Sequence, residues 1–183
     1  MFTKFEINKD NVNYYLNELS KEVKKLGGRD FKIDLILVGG ASIILNYNFR
    51  NSSCDIDGYY KSDILKQAIF KVADRLGLPD DWLNNDFLNT TSFTSNIVKY
   101  SEFCKEFNQC LSVRTVSKEY LVAMKLKSFR KYKSDISDIV GILEEDKNIT
   151  LSSVKTAIIN LYGSFEAVSE EARNFLFQLF INH

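Results

Sequence analysis

The sequence predicts a mixed α/β (α+β) fold, a small mixed sheet flanked by helices, with a helical C-terminal part. Three observations lead to it. Phe31–Val38 (FKIDLILV) ends in an unbroken apolar run that stops at Gly39-Gly40, the pattern of a strand buried on both faces. Cys110–Val116 alternates and is rich in β-branched residues, as strands are. Beyond Ser117 the apolar residues recur at helical spacing through the last third of the chain.

The first element in order is a helix. Val12, Tyr15, Leu16, Leu19, Val23 and Leu26 form one apolar stripe, closed by Gly27-Gly28 at the C-cap. The strand ending at Val38 follows, then Gly39-Gly40, then a helix over Ala41–Tyr47. A short strand is expected over Cys54–Tyr60, and Ser62 caps a helix whose core face is Ile64, Leu65, Ala68, Ile69, Val72 and Leu76. Gly77 and Pro79 end that helix. The stretch from Asn84 to Ser101 is polar and ambiguous, and no element is assigned to it. After the strand at Cys110–Val116, Ser117 opens a helix to about Lys131, and Ser134, with Asp135 in the first turn, opens another to about Glu145. Leu151–Tyr162 and Glu170–Ile181 read as two more helices. The expected division is an α/β core over 1–117 and a helical region over 118–183 packed on it.

Composition narrows the function classes. The 183 residues are 45% hydrophobic, with 14 Phe and 9 Tyr, enough apolar surface to exclude a disordered chain. The 24 Lys and Arg balance 24 Asp and Glu, which argues against a general nucleic-acid coat. The balance is uneven along the chain: 12 basic and 13 acidic residues in 1–98, 9 and 4 in 99–135, and 3 and 7 in 136–183. Cys54, Cys104 and Cys110 form no C-x-x-C pair, so neither a disulfide framework nor a zinc knuckle is indicated, and a cytoplasmic location fits. No signal-length apolar core opens the chain and no run approaches the ~18 apolar residues of a membrane span. The one histidine is His183, which excludes Ser-His and Cys-His triads and His-based metal sites. No G-x-G-x-x-G or Walker pattern is present.

The chemistry-bearing stretch is Gly39-Gly40-Ala41-Ser42, then Arg50, then Asp55-Ile56-Asp57. In a strand, residues i and i+2 share a face about 6.5–7 Å apart, so the two carboxylates can converge on hard cations while Ile56 points into the core. The Gly-Gly turn offers backbone N–H groups at a helix N-terminus, where a triphosphate is favoured. Each feature alone has a plain reading, two solvated acids or an ordinary turn; their combination is what points to a site.

This combination resembles the nucleotidyltransferase fold, polymerase-beta-like, in which strand, Gly-Gly and helix are followed by Asp-x-Asp on the next strand. Asp81-Trp82-Leu83-Asn84-Asn85-Asp86 resembles the Trp-Leu-Asn-rich motif of uncharacterised bacterial nucleotidyltransferase-like domains. Leu121-Val122-Ala123-Met124-Lys125-Leu126, then Arg130 and Asp135-Ile136-Ser137-Asp138-Ile139, is similar to that group's later helices. The same Lys and Asp positions recur in toxins of the AbiEii type. The likeness spans residues 33–143.

The resemblance implies that Gly39, Gly40 and Ser42 border the triphosphate, that Asp55 and Asp57 hold Mg²⁺ (or Mn²⁺), that Lys125 reaches a phosphate and that Asp135 is the later acid, with Asp138 as its competitor. One departure stands out: Cys110–Val116 contains no acid, whereas polymerase-type members often carry a third carboxylate on a later strand. Arg50 fits either a bidentate phosphate contact or an exposed loop position. Lys125, in apolar surroundings, calls for a phosphate or carboxylate partner. Lys127, Arg130, Lys131 and Lys133 fit either a rim for an RNA or nucleotide acceptor or a solvated helical face. Trp82 and Asn84 fit a base-positioning or lid role or, for Trp82, a core anchor; Cys54 is expected to pack.

The implied function is Mg²⁺-dependent transfer of a nucleoside monophosphate from an NTP to RNA or tRNA, a protein or a small molecule, with a toxin role and an antitoxin-like partner among the expectations. The alternatives are a catalytically inactive nucleotide- or partner-binding module of the same fold, and an RNA-binding protein using the 118–133 helix.

Overall fold

A computed structural model describes residues 5–130 and 134–181. The chain divides into two compact units, Met1–Asp86 with Glu102–Thr115 and Phe87–Ser101 with Val116–His183. The chain thus leaves the first unit for residues 87–101 and re-enters it before the helical part begins.

The first unit opens with α1 (Lys9–Gly27), whose Asn8 cap accepts from the Asp10 and Asn11 N–H groups. It is followed by β1 (Ile33–Leu37), α2 (Gly39–Asn46), β2 (Ile56–Tyr59), α3 (Asp63–Leu76) and the two-residue β3 (Leu83–Asn84). β4 (Ser101–Phe107) and β5 (Leu111–Val116) complete one five-stranded sheet in the order β3-β2-β1-β5-β4. β1 runs antiparallel to β2 and parallel to β5, and β2 runs parallel to β3. The sheet is mixed, as expected.

Position in the sheet explains the burial. β1 lies at the centre, and Leu35, Ile36 and Leu37 are all buried, which is why its sequence reads as a continuous apolar run. The core of this unit joins Leu35 and Leu37 to Val12, Leu16 and Leu19 of α1, Leu65, Ala68 and Val72 of α3, and Leu111 and Val113 of β5. Ser62 caps α3 through the Leu65 N–H, and Gly77 ends it at φ +64°, both as read from the sequence.

β4 had no counterpart in the sequence reading. It is an edge strand with exposed residues from Glu102 to Glu106, so it lacks the apolar alternation that marks half-buried strands. It joins β5 through a two-residue turn in which Asn108 and Gln109 both take left-handed backbone, φ +48° and +59°, with the Cys110 N–H donating to Phe107 O at 3.1 Å. That is the twist-matching hairpin turn, which favours Asn-Gly.

The second unit holds α4 (Lys118–Ser128), α5 (Asp135–Glu145), α6 (Leu151–Tyr162) and α7 (Glu170–Ile181). The helix expected to reach Lys131 stops at Ser128, because Phe129 adopts a left-handed cap at φ +36°. Lys131 and Lys133 lie outside the described residues, as does His183. Among the described residues no helix is long and apolar enough to cross a membrane.

Exposed Gln109 carries a side chain in a backbone region that costs a non-glycine residue about 1 kcal/mol. Gln109→Gly is expected to stabilise the protein by about 0.5–1 kcal/mol, read as a higher urea midpoint with an unchanged slope.

Candidate functional site

The first group of predicted residues gathers where β1 ends and α2 begins. The Val38 N–H donates to Asp57 O at 3.0 Å, which places Asp57 across from the first turn of α2. Gly39 sits there at φ +60°, and a Cβ added to it would lie 2.8 Å from Asp57 Oδ2. A Cβ on Gly40 would lie 2.6 Å from Ser53 Oγ and 2.8 Å from Arg50 Nη2. Two missing side chains therefore let a carboxylate and a guanidinium close on one helix N-terminus.

The surrounding backbone holds this arrangement. Ser53 exchanges two backbone hydrogen bonds with Ile7, at 2.7 and 2.8 Å, and the Arg50 Nε donates to Ser52 O at 3.2 Å. The Arg50 guanidinium is thus turned back onto the start of α2. Ser42, in the second turn's reach, is fully buried and its Oγ has no hydrogen-bond partner among the described residues, a cost unless another group meets it.

Asp55 and Asp57 flank Ile56, which is fully buried; Asp57, within β2, lies on the opposite face from Ile56. β2 is shorter than the expected Cys54–Tyr60: Cys54 and Asp55 form a bend before it. Cys54, expected to pack, is exposed, because strand alternation does not extend back to it. Asp57 pairs in register with Asn84 on β3, and the Asn84 Nδ2 donates to Asp55 Oδ2 at 3.4 Å. Trp82 is a core anchor: it is fully buried, donates from Nε1 to Ile69 O at 3.2 Å and tilts against Tyr15. Its carbonyl accepts from the Ile56 N–H at 2.8 Å, so the anchor also ties β3 to β2.

These groups fit a small hard cation. Two carboxylates beside a helix N-terminus are a partial oxygen set of the kind Mg²⁺ accepts when substrate phosphates supply the remainder. The glycine cradle admits the Asp57 carboxylate where a side chain would otherwise stand. Among the described residues no group of three or more His, Cys, Asp or Glu side chains could hold a metal.

The second group of predicted residues belongs to the other unit and forms a closed set of its own. Lys125 of α4 is buried and its Nζ lies 3.0 Å from Asp135 Oδ1 and 2.8 Å from Asp138 Oδ2; the partner it called for is carboxylate. Asp135 is fully buried, and its Oδ2 also accepts from Ser128 Oγ, the Arg130 N–H and the Arg130 Nε, each at 3.0 Å. The Arg130 Nη2 reaches Oδ1 at 3.2 Å, which makes the Arg130 pairing bidentate. The break at Phe129 makes this possible. On one unbroken helix Lys125 and Asp135 would face different directions, whereas the turn brings the start of α5 back onto α4. Burial works to raise the Asp135 carboxyl, but the Arg130 and Lys125 contacts outweigh it and hold it well below the usual carboxylate range.

Of the expected basic rim, Lys127 donates to Ala167 O at 2.6 Å and lies over the Tyr162 ring, and Arg130 serves Asp135. Sequence reasoning missed two participants, Ser53 and Ser128. Ser53 is placed by its bridge to Ile7 and Ser128 by the end of α4, and neither position leaves a periodic or spacing signal.

Comparison with known proteins adds one finding. Residues 14–178 match a family model described as nucleotidyltransferase of unknown function (DUF6036). No curated protein and no solved structure matches the chain.

Two outcomes are expected from these contacts. Gly39→Ala should cost about 1–2 kcal/mol for the left-handed backbone, with a further loss from the clash at Asp57, measured by urea unfolding. Asp135→Asn should cost about 3–5 kcal/mol at pH 7 by leaving the buried Lys125 ammonium short of a partner. Because the folded carboxyl is depressed, its contribution is full above the unfolded value of about 4 and is lost as pH falls toward the folded one. The stability gap between wild type and Asp135→Asn should therefore narrow below about pH 4; a gap constant from pH 7 to pH 3 would contradict the assigned pairing.

Proposed function

The chain belongs to the family of nucleotidyltransferases of unknown function, and on that footing we propose that it moves a nucleoside monophosphate from an NTP to a hydroxyl acceptor, with release of pyrophosphate. The observation that carries the reading is the cradle at Gly39 and Gly40, where the absence of two Cβ atoms lets the Asp57 carboxylate and the Arg50 guanidinium close on one helix N-terminus.

In this reading the triphosphate lies against the N-terminus of α2, where backbone N–H groups and the helix dipole favour anions. Arg50 offers a planar pair of donors to phosphate oxygens, and the unpartnered Ser42 hydroxyl gains a partner near them. Asp55 and Asp57 would hold Mg²⁺ or Mn²⁺, which when bound offsets charge on the transferring phosphoryl group. The acceptor hydroxyl gives up its proton to solvent and its oxygen bonds to the α-phosphorus as the bond to the departing pyrophosphate oxygen breaks. The acceptor is RNA or tRNA, a protein or a small molecule. Cytoplasmic action as the toxin of a toxin–antitoxin pair belongs to this proposal through the similarity of the Lys125, Asp135 and Asp138 positions to AbiEii-type toxins.

A second reading, a nucleotide- or partner-binding module without turnover, is favoured by one observation: among the described residues no three acids gather as a metal-holding group, where polymerase-type enzymes often use three. Incubation of the protein with α-labelled NTPs, Mg²⁺ and a cell extract separates the two. Label transfer is expected from wild type, with a fall of about 100-fold or more in Asp55→Ala and Asp57→Ala. NTP binding without transfer would favour the module, and transfer unchanged in both variants would exclude the assigned site.

A further inference from the structure

We infer that Asn84 is a positioning residue that sets the Asp55 carboxylate for a divalent cation, an inference that rests on the metal-binding reading of Asp55 and Asp57. Three contacts determine how the Asn84 amide lies. Its Oδ1 accepts from the Asp86 N–H at 2.9 Å, and its Nδ2 donates to Asp81 O at 3.0 Å. An acceptor matched to a backbone donor and a donor matched to a backbone carbonyl leave one orientation for the amide, since the flipped one would oppose like groups on both sides. The second N–H of Nδ2 is then the group turned toward Asp55, with Oδ2 at 3.4 Å.

The backbone places this amide firmly. Asn84 is in register with Asp57 across β2 and β3, and the adjacent Trp82 is fully buried and bonded through both its ring N–H and its carbonyl. One Asp55 oxygen is thereby given a donor, which leaves the other oriented for a cation. Partners of this kind, which orient a metal-binding carboxylate without touching the metal, commonly alter metal affinity by about 10–100-fold when removed. The residue type matters as much as the position. An acid at 84 would set a third negative charge beside Asp55, whereas an amide supplies a donor and no charge.

The test is a coupling measurement on the full chain. Asn84→Ser keeps a short hydroxyl able to accept from the Asp86 N–H, as serine does in turns, but cannot reach Asp55 with a donor. Mn²⁺ affinity is measured by electron paramagnetic resonance for wild type, Asn84→Ser, Asp55→Ala and the double variant. The expected result is about a 10-fold weakening by Asn84→Ser in wild type and less than about a 2-fold further change in the Asp55→Ala background. Equal weakening in both backgrounds would assign Asn84 a purely structural part and overturn the inference while leaving the metal site standing. Unchanged affinity in Asn84→Ser overturns it in the same way. Unchanged affinity in Asp55→Ala alone would remove the metal reading itself. A second measurement needs no stable variant at position 84: in wild type, Mg²⁺ should shift the nuclear magnetic resonance signals of the Asn84 side-chain amide, and in Asp55→Ala it should not. Signals that stay fixed in wild type, or shift equally in both, overturn the inference.

Discussion

The structure of the candidate site rests on a steric constraint: two consecutive positions at the head of α2 carry no Cβ. Everything else at the site takes its place from that. The backbone bond from Val38 to Asp57 O brings β2 beside the start of α2, an approach that the Asp57 side chain could not make if residue 39 carried a methyl group. Arg50 and Ser53 occupy the equivalent space beside Gly40, and the Ile7–Ser53 bridge holds their loop in place. The central strand supplies the rigid support, since Leu35, Ile36 and Leu37 of β1 are buried and the strand is paired on both sides. A loop-borne cation and a strand-borne anion are thus held on elements whose positions the core determines.

The buried cluster in the helical unit solves a different problem. Lys125, Asp135 and Asp138 are all nearly inaccessible, and burying any one of them alone would be costly. Two cations, Lys125 and Arg130, meet two acids, and the Asp135 oxygens accept from a lysine, an arginine, a hydroxyl and a backbone N–H. Such a set is weak evidence of added stability relative to an apolar core, but removing one member strands the rest. What it does tie together is the end of α4, where Phe129 takes a left-handed cap, and the first turn of α5, where Asp135 and Asp138 sit.

Much of this was legible in the residues for identifiable reasons. The central strand, the Gly-Gly stop, the Ser62 cap and the Gly77 ending are local signals, and each appears where the pattern put it. The burial of Ile56 and the outward Asp57 follow from strand alternation, which stops short of Asp55. Three things were not legible. β4 carries mostly polar residues because an edge strand has little core to face. The stop at Ser128 depends on Phe129 adopting a backbone region that its residue type does not announce. The roles of Ser53 and Asn84 come from pairings between segments 46 and 27 residues apart, Ile7 with Ser53 and Ile56–Asp57 with Leu83–Asn84, and long-range register has no signature in a short window. The charge balance behaved similarly: zero overall, it conceals a basic stretch over 99–135 whose Lys125, Lys127 and Arg130 the fold engages internally.

Electrostatics then decides what the proposed site must recruit. A triphosphate placed against α2 would add several negative charges to those of Asp55 and Asp57. Arg50 returns one positive charge, and a helix N-terminus contributes roughly +0.5. The deficit that remains exceeds what one divalent cation supplies, so the site calls for at least one, and two carboxylates with phosphate oxygens are the donor type such a cation prefers. The same arithmetic bears on position 84. A third acid there would enlarge the deficit unless a further cation came with it, while the amide orients Asp55 at no charge. The choice of asparagine in register with Asp57 is therefore consistent with a site built around fewer charges than a three-acid one, in which orientation by hydrogen bonding takes over part of what additional ligands would do.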